Sequence, residues 1–143
     1  MSPEEYIRDR VDKQIEWYSN KSTVNQNWFK SLKIVEIVCA AIIPFIAGVN
    51  QYIQYGNYII ALLGVLIAIC VGISSIYHHQ ENWINYRATS ETLKHEKYLF
   101  MTKTGRYTGE NSFENFVQCI EGHISRENTS WASVVKSKNG KNA

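Results

Sequence analysis

From Ile37 to Gln80 the chain runs for 44 consecutive residues without an Asp, Glu, Lys or Arg, and all 28 such residues lie in the other 99. A helix needs about 20 apolar residues to cross a hydrocarbon layer of roughly 30 Å, so the block holds two crossings and a short connection, but not three. In lipid each crossing must satisfy its own backbone hydrogen bonds, which makes both of them helices. The fold class that follows is an all-α membrane protein: a two-helix transmembrane hairpin with long cytoplasmic helical extensions and a short C-terminal amphipathic helix.

Six Lys or Arg residues precede the block and nine follow it, while the connection carries none. The excess of positive residues on one side places both termini in the cytoplasm, and the expected location is the inner (plasma) membrane. The first 31 residues hold five acids and five bases before any apolar run, a pattern unlike a cleaved signal peptide. A net charge of +2 with interleaved signs argues against a nucleic-acid partner. Cys39, Cys70 and Cys119 show no CxxC spacing and read as buried free thiols.

Along the chain, Ser2, Pro3 and Glu5 spell a helix start, with a hydroxyl cap, proline at the first turn and a carboxylate reaching back. Ile7, Val11, Ile15 and Tyr18, with Leu32 later, form one apolar stripe opposite Arg8, Asp12 and Glu16. The polar stretch 21–30 reads either as a break or as loosely packed helix. The expected divisions are an amphipathic helix (1–31), a first span (32–53) carrying Pro44, an extracytoplasmic turn (54–57), a second span (58–77), a cytoplasmic helical region (78–131) and a disordered tail (132–143). Tyr52, Tyr55 and Tyr58 cluster at the turn, as in an interfacial aromatic belt. After the second span, Trp83, Tyr86, Ser90, Leu93, Lys97 and Phe100 alternate at spacings of three and four, the period of a helix–helix seam. Phe113, Phe116, Val117, Ile120 and Ile124 give the last helix its inward face.

Two stripes on the spans are candidate sites. Lys33, Glu36, Ala40, Ile43, Ala47, Gln51 and Gln54 share an arc of roughly 90° on the first span. Such a face suits a water-filled pore, with Glu36 repeated by symmetry at the cytoplasmic mouth. The alternative is that the alanines pack against a neighbour and Glu36 pairs with Lys33. On the second span Ala61, Gly64, Ala68, Gly72 and Ser75 form a small-residue stripe that allows close helix packing, within the chain or between subunits, and Pro44 is grouped with these packing positions. Further on, Arg87, Glu91 and Lys94 are either a solvated charge face or a structural ion pair between helices or subunits.

No catalytic set is legible: there is no GK[ST] phosphate loop, no GxSxG and no Rossmann fingerprint, so an enzyme is not expected. His78 and His79 are adjacent and diverge by about 100° on a helix, and no HxxxH spacing occurs, so neither a metal site nor a cofactor is expected.

The segments YIRDRVDKQIEWYSNKS, LKIVEIVCAAIIPFIAG, ENWINYRATSETLKHEKYLF with the following GRY, and FVQCIEGHISRENTSW together resemble a bacterial family of formerly unknown function that looks like a branch of the SLATT superfamily of two-helix membrane proteins. The most specific residues are Trp83, Tyr86, Arg87, Glu91, Leu93, Lys94 and Glu96, then Pro44, then Glu127, Asn128 and Trp131. The resemblance implies a pore-forming effector of bacterial defence, often encoded beside nucleotide-second-messenger synthetases or sensors. These 143 residues show no sensor domain beside the spans, so the expected partners are a separate nucleotide-sensing or signalling protein, the lipid bilayer and other copies of the chain. Two spans cannot enclose a water path, which takes about four helices or more, so a conducting form must be a closed homo-oligomer. The competing expectation is a non-conducting anchor or scaffold that recruits a cytoplasmic partner.

Overall fold

Ser2 caps the first helix as its sequence dictates: its hydroxyl accepts from the Glu5 amide at 3.2 Å, and the Glu5 carboxylate accepts from the Ser2 amide at 3.0 Å. Helix α1 (Pro3–Tyr6) passes through a π-helical turn, Ile7–Val11, into α2 (Asp12–Val49). Tyr6 and Val11 are both buried although five residues apart, a spacing that an α-helix splays and a π turn stacks. From Val11 the buried positions Val11, Tyr18 and Ser22, with half-buried Ile15, fall back to spacings of four and three. The computed structural model describes the backbone of residues 1–139 and the side chains of residues 1–130, 132 and 133.

The remaining elements are a 3-10 turn Asn50–Tyr52, α3 (Gly56–Tyr77), α4 (His79–Met101), a 3-10 turn Gly105–Tyr107 and α5 (Ser112–Asn139); the described residues contain no strand. Of the two readings of the polar stretch 21–30, the helical one holds: it is continuous helix inside α2, which carries Pro44 in its interior. The connection tightens, because α3 already starts at Gly56, whose amide bonds the Ile53 carbonyl. Gly56 is buried, and a Cβ there would collide with the Asn50 side chain, which would have to shift and give up its 2.9 Å hydrogen bond to Asn57. Between α3 and α4, His78 adopts φ 48 and ψ 40, a left-handed residue that breaks the helical run, while the Asn82 amide caps the Tyr77 carbonyl at 3.0 Å. Helix α5 reaches Asn139, past Trp131, where the tail was expected to begin. Residues 140–143 of that tail lie outside the described residues.

The chain resolves into two compact units. The first comprises Met1–Asn20 and the chain from Asn85 on; the second is Lys21–Ile84. In the first, the N-terminal helix, α4 and α5 surround Tyr6, Val11, Tyr18, Tyr86, Leu93, Tyr107, Phe116, Ile120 and Ile124. Phe116 stacks on Phe100 with centroids 4.4 Å apart and meets Tyr107 edge-on at 5.8 Å. Polar links close the rim: Arg10 donates two hydrogen bonds of 3.0 Å to Glu121, which also accepts from the Tyr6 hydroxyl, and Lys97 pairs with Asp12.

In the second unit Cys39 and Ile46 of α2 and Gly56 and Cys70 of α3 are buried, with Ile43, Ile60, Leu63 and Ile67 half-buried along the same faces. The apolar parts of α2 and α3 are thus a hairpin packed along one narrow seam. Both are long and apolar enough to cross a membrane, and only 11% and 6% of their apolar windows are buried.

Candidate functional site

The hairpin seam leaves most of both candidate stripes outside it. Ala40, Ala47, Gln51 and Gln54 are exposed, as is Pro44, whereas Ile43 and Glu36 are half-buried. The Glu36 carboxylate accepts two hydrogen bonds from Lys33 Nζ, at 3.0 and 3.1 Å. On α3, Ala61, Gly64, Ala68 and Ser75 are exposed and Gly72 half-buried, and a Cβ added at Gly64 or Gly72 meets nothing within 4 Å. Within one chain most of the small stripe therefore faces outward, with Gly72 partly covered, while bulkier Ile60, Leu63 and Ile67 are half-buried and Cys70 is buried on the seam side.

On α4 the seam read from the sequence is present: Tyr86, Ser90 and Leu93 are buried, with Lys97 and Phe100 half-buried beside them. Ser90 donates to the Ile15 carbonyl at 3.4 Å, a bond that needs the helices in close approach. Trp83 belongs to the second unit, where its carbonyl accepts from Ser22 at 3.0 Å and its buried indole N–H has no hydrogen-bond partner among the described residues. Arg87, Glu91 and Lys94 form two ion pairs along one exposed helix face, at 3.2 and 3.1 Å, and the lysine holds the Glu91 carboxyl below the usual carboxylate range. Within the chain this is the solvated face, not a bridge between helices. Glu127 lies beside Thr89, whose hydroxyl is 3.5 Å away, and Asn128 is exposed. The Trp131 side chain lies outside the described residues.

The remaining motif residue, Glu96, is the centre of a constellation that spacing did not reveal. Its side chain is 6% exposed. Isolating a carboxylate from water is costly unless it is hydrogen-bonded and paired, and both conditions are met. The Tyr107 hydroxyl donates to Oε2, and Arg106 Nη2 lies 3.3 Å from Oε1. The turn Gly105–Tyr107 delivers these two donors, and Gly105 at φ 62 supplies the left-handed backbone it needs. From α5, Cys119 Sγ accepts from Arg106 Nη1 at 3.4 Å, and His123 stands one turn further on. Burial raises the Tyr107 hydroxyl well above the ordinary tyrosine range, reinforced by Glu96, and burial likewise raises the Cys119 thiol. One ligand atom from each of Glu96, Cys119 and His123 lies within 4.8 Å of the others. Of these residues the sequence made only Glu96 a candidate site residue; Cys119 read as a free thiol and Arg106 and Tyr107 only as part of the GRY segment. Cys119 and His123, four apart on one helix face, could have been found by a search for mixed ligand pairs instead of paired histidines.

No curated protein and no solved structure matches the chain. A family match covers residues 13–115, taking in both apolar helices, α4 with its seam and the turn that carries Arg106 and Tyr107. Because this is well over half of its length, the chain belongs to the family described as "Protein of unknown function (DUF4231)".

Proposed function

We propose that the chain is a two-span protein of the inner membrane with both termini in the cytoplasm, and that copies of it assemble with closed symmetry into a pore for ions or small solutes. The observation that carries the reading is the bare apolar surface of the hairpin: Phe45, Leu62 and Ile76 are each 70% exposed or more. A contiguous surface of this kind in water is a strong aggregation liability, and lipid or further copies of the hairpin would cover it. Tyr52, Tyr55 and Tyr58, all exposed at the turn, suit a headgroup layer. Assembly is supported by the small residues of α3, of which Ala61, Gly64, Ala68 and Ser75 are exposed in one chain, and a lumen by the exposed Ala40, Ala47, Gln51 and Gln54 face. The likeness to SLATT proteins agrees with this reading and adds an effector role gated through the cytoplasmic helices by a separate nucleotide-sensing or signalling protein. The pairing of Glu36 with Lys33 favours the second reading, a non-conducting anchor, because it leaves no free acidic ring at the mouth.

Insertion and orientation are tested by labelling. In a variant whose three native cysteines are serine, Gln54→Cys should react with a membrane-impermeant maleimide applied to intact cells, and Glu4→Cys should react only after the cells are opened. Labelling of Glu4→Cys from outside, or recovery of the protein free of membranes, would contradict the topology.

A further inference from the structure

We propose that Glu96, Cys119 and His123 form a binding site for a divalent transition-metal ion of the zinc class. Cys119 and His123 project from one face of α5, and Glu96 meets them from α4, so the donors come from two helices fixed by the Phe116 and Leu93 core. One sulfur, one imidazole nitrogen and one carboxylate oxygen suit a borderline-soft ion, whereas calcium and magnesium take oxygen donors throughout. Metal–ligand bonds of about 2.0–2.3 Å bring tetrahedral ligand atoms to roughly 3.5 Å from one another, so side-chain rotations of about 1 Å close the present spacing. Three protein ligands leave one position for water or an exogenous anion.

The surroundings fit the role. Tyr107 already fixes the Glu96 carboxylate by hydrogen-bonding Oε2, as outer-shell donors do around metal ligands, and leaves Oε1 for the ion. The group now on Oε1 and on the Cys119 sulfur is Arg106, whose side chain is 58% exposed and can swing into water. Its guanidinium stands where the ion would, as a competing positive charge. When the ion binds, the Cys119 S–H proton leaves to solvent and a metal–sulfur bond forms; two anionic ligands then balance the double positive charge without Arg106. A cleft of about 170 Å³ bordered by Thr89, Thr92, Arg126 and Glu127 reaches one of the three ligands, His123, and opens it to solvent.

The test uses the full chain purified in detergent, stripped with a chelator and titrated with Co²⁺ and then Zn²⁺. The site predicts one Co²⁺ per chain with a thiolate-to-cobalt charge-transfer absorption, displaced by Zn²⁺, lost in Cys119→Ser and weakened at least about tenfold in His123→Ala. Tyr107→Phe should retain the absorption while affinity falls about 10- to 100-fold. Arg106→Gln separates the site from a merely structural cluster: removal of the competing charge should tighten cobalt binding, although it breaks an ion pair. Circular dichroism of each metal-free variant verifies that the helices are intact. Absence of the absorption from the native chain, its persistence in Cys119→Ser, or weaker binding in Arg106→Gln would overturn the assignment.

Discussion

Gly64→Leu and Gly72→Leu are expected to convert the assembled protein largely into smaller species, read as a drop in mass in detergent or nanodiscs. A Cβ at either position meets nothing within 4 Å among the described residues, and Gly64 is exposed, so within one copy the new side chain has room to point outward there. Leucine is also fully compatible with lipid. Only another copy, approaching closely along the small face of Ala61, Gly64, Ala68 and Gly72, would be pushed away by the isobutyl groups. Unchanged mass in both variants would show that this face looks out to the bilayer and would move the subunit contact elsewhere.

Phe116→Ala should destabilise the first unit by about 3–5 kcal/mol, the usual loss for a buried aromatic truncated to alanine. Phe116 is fully buried, stacked on Phe100 and edge-on to Tyr6 and Tyr107, so its removal opens a cavity that three rings border and cannot readily fill. Domain stabilities total only about 5–15 kcal/mol, so the effect is large. Urea unfolding of the detergent-solubilised protein, followed by tryptophan fluorescence, provides the measurement; Trp17 lies edge-on to Tyr18 and Tyr86 and reports on this unit. A loss below about 1 kcal/mol would mean that the rings are not packed as described.

Local signals in the sequence carried much of the fold. The Ser2, Pro3 and Glu5 pattern is a complete capping box, and the second span falls within α3. Tyr86, Ser90 and Leu93 on α4 and Phe116, Ile120 and Ile124 on α5 are buried as their spacing required. Each of these rests on a period of one helix, which the sequence displays directly. What escaped depends on departures from that period or on contacts between distant segments. The π turn brings Tyr6 into register with Val11, and the left-handed His78 separates α3 from α4 by a backbone conformation that no residue spacing displays. The small residues of α3 were open to packing within the chain or between copies, and bulkier side chains take the intrachain seam.

The Glu96 cluster shows the same limit. A glutamate on α4, an Arg-Tyr pair in a turn and a Cys and His on α5 have no common spacing; only the folding of three segments around one core gathers them. For the pore face, the pairing of Glu36 with Lys33 was among the alternatives read from the sequence, and it is the arrangement found within one chain.

The central claim is that copies of this hairpin assemble in a membrane and conduct. The most direct test is to reconstitute the purified protein in planar bilayers while measuring the mass of the same preparation in nanodiscs. The account predicts discrete conductance steps, at least under conditions that open the pore, from a closed oligomer of more than one chain, lost together with the oligomer in Gly64→Leu. A stable monomer, or an oligomer that remains electrically silent in the presence of its signalling partner, would contradict it and leave the anchor as the function.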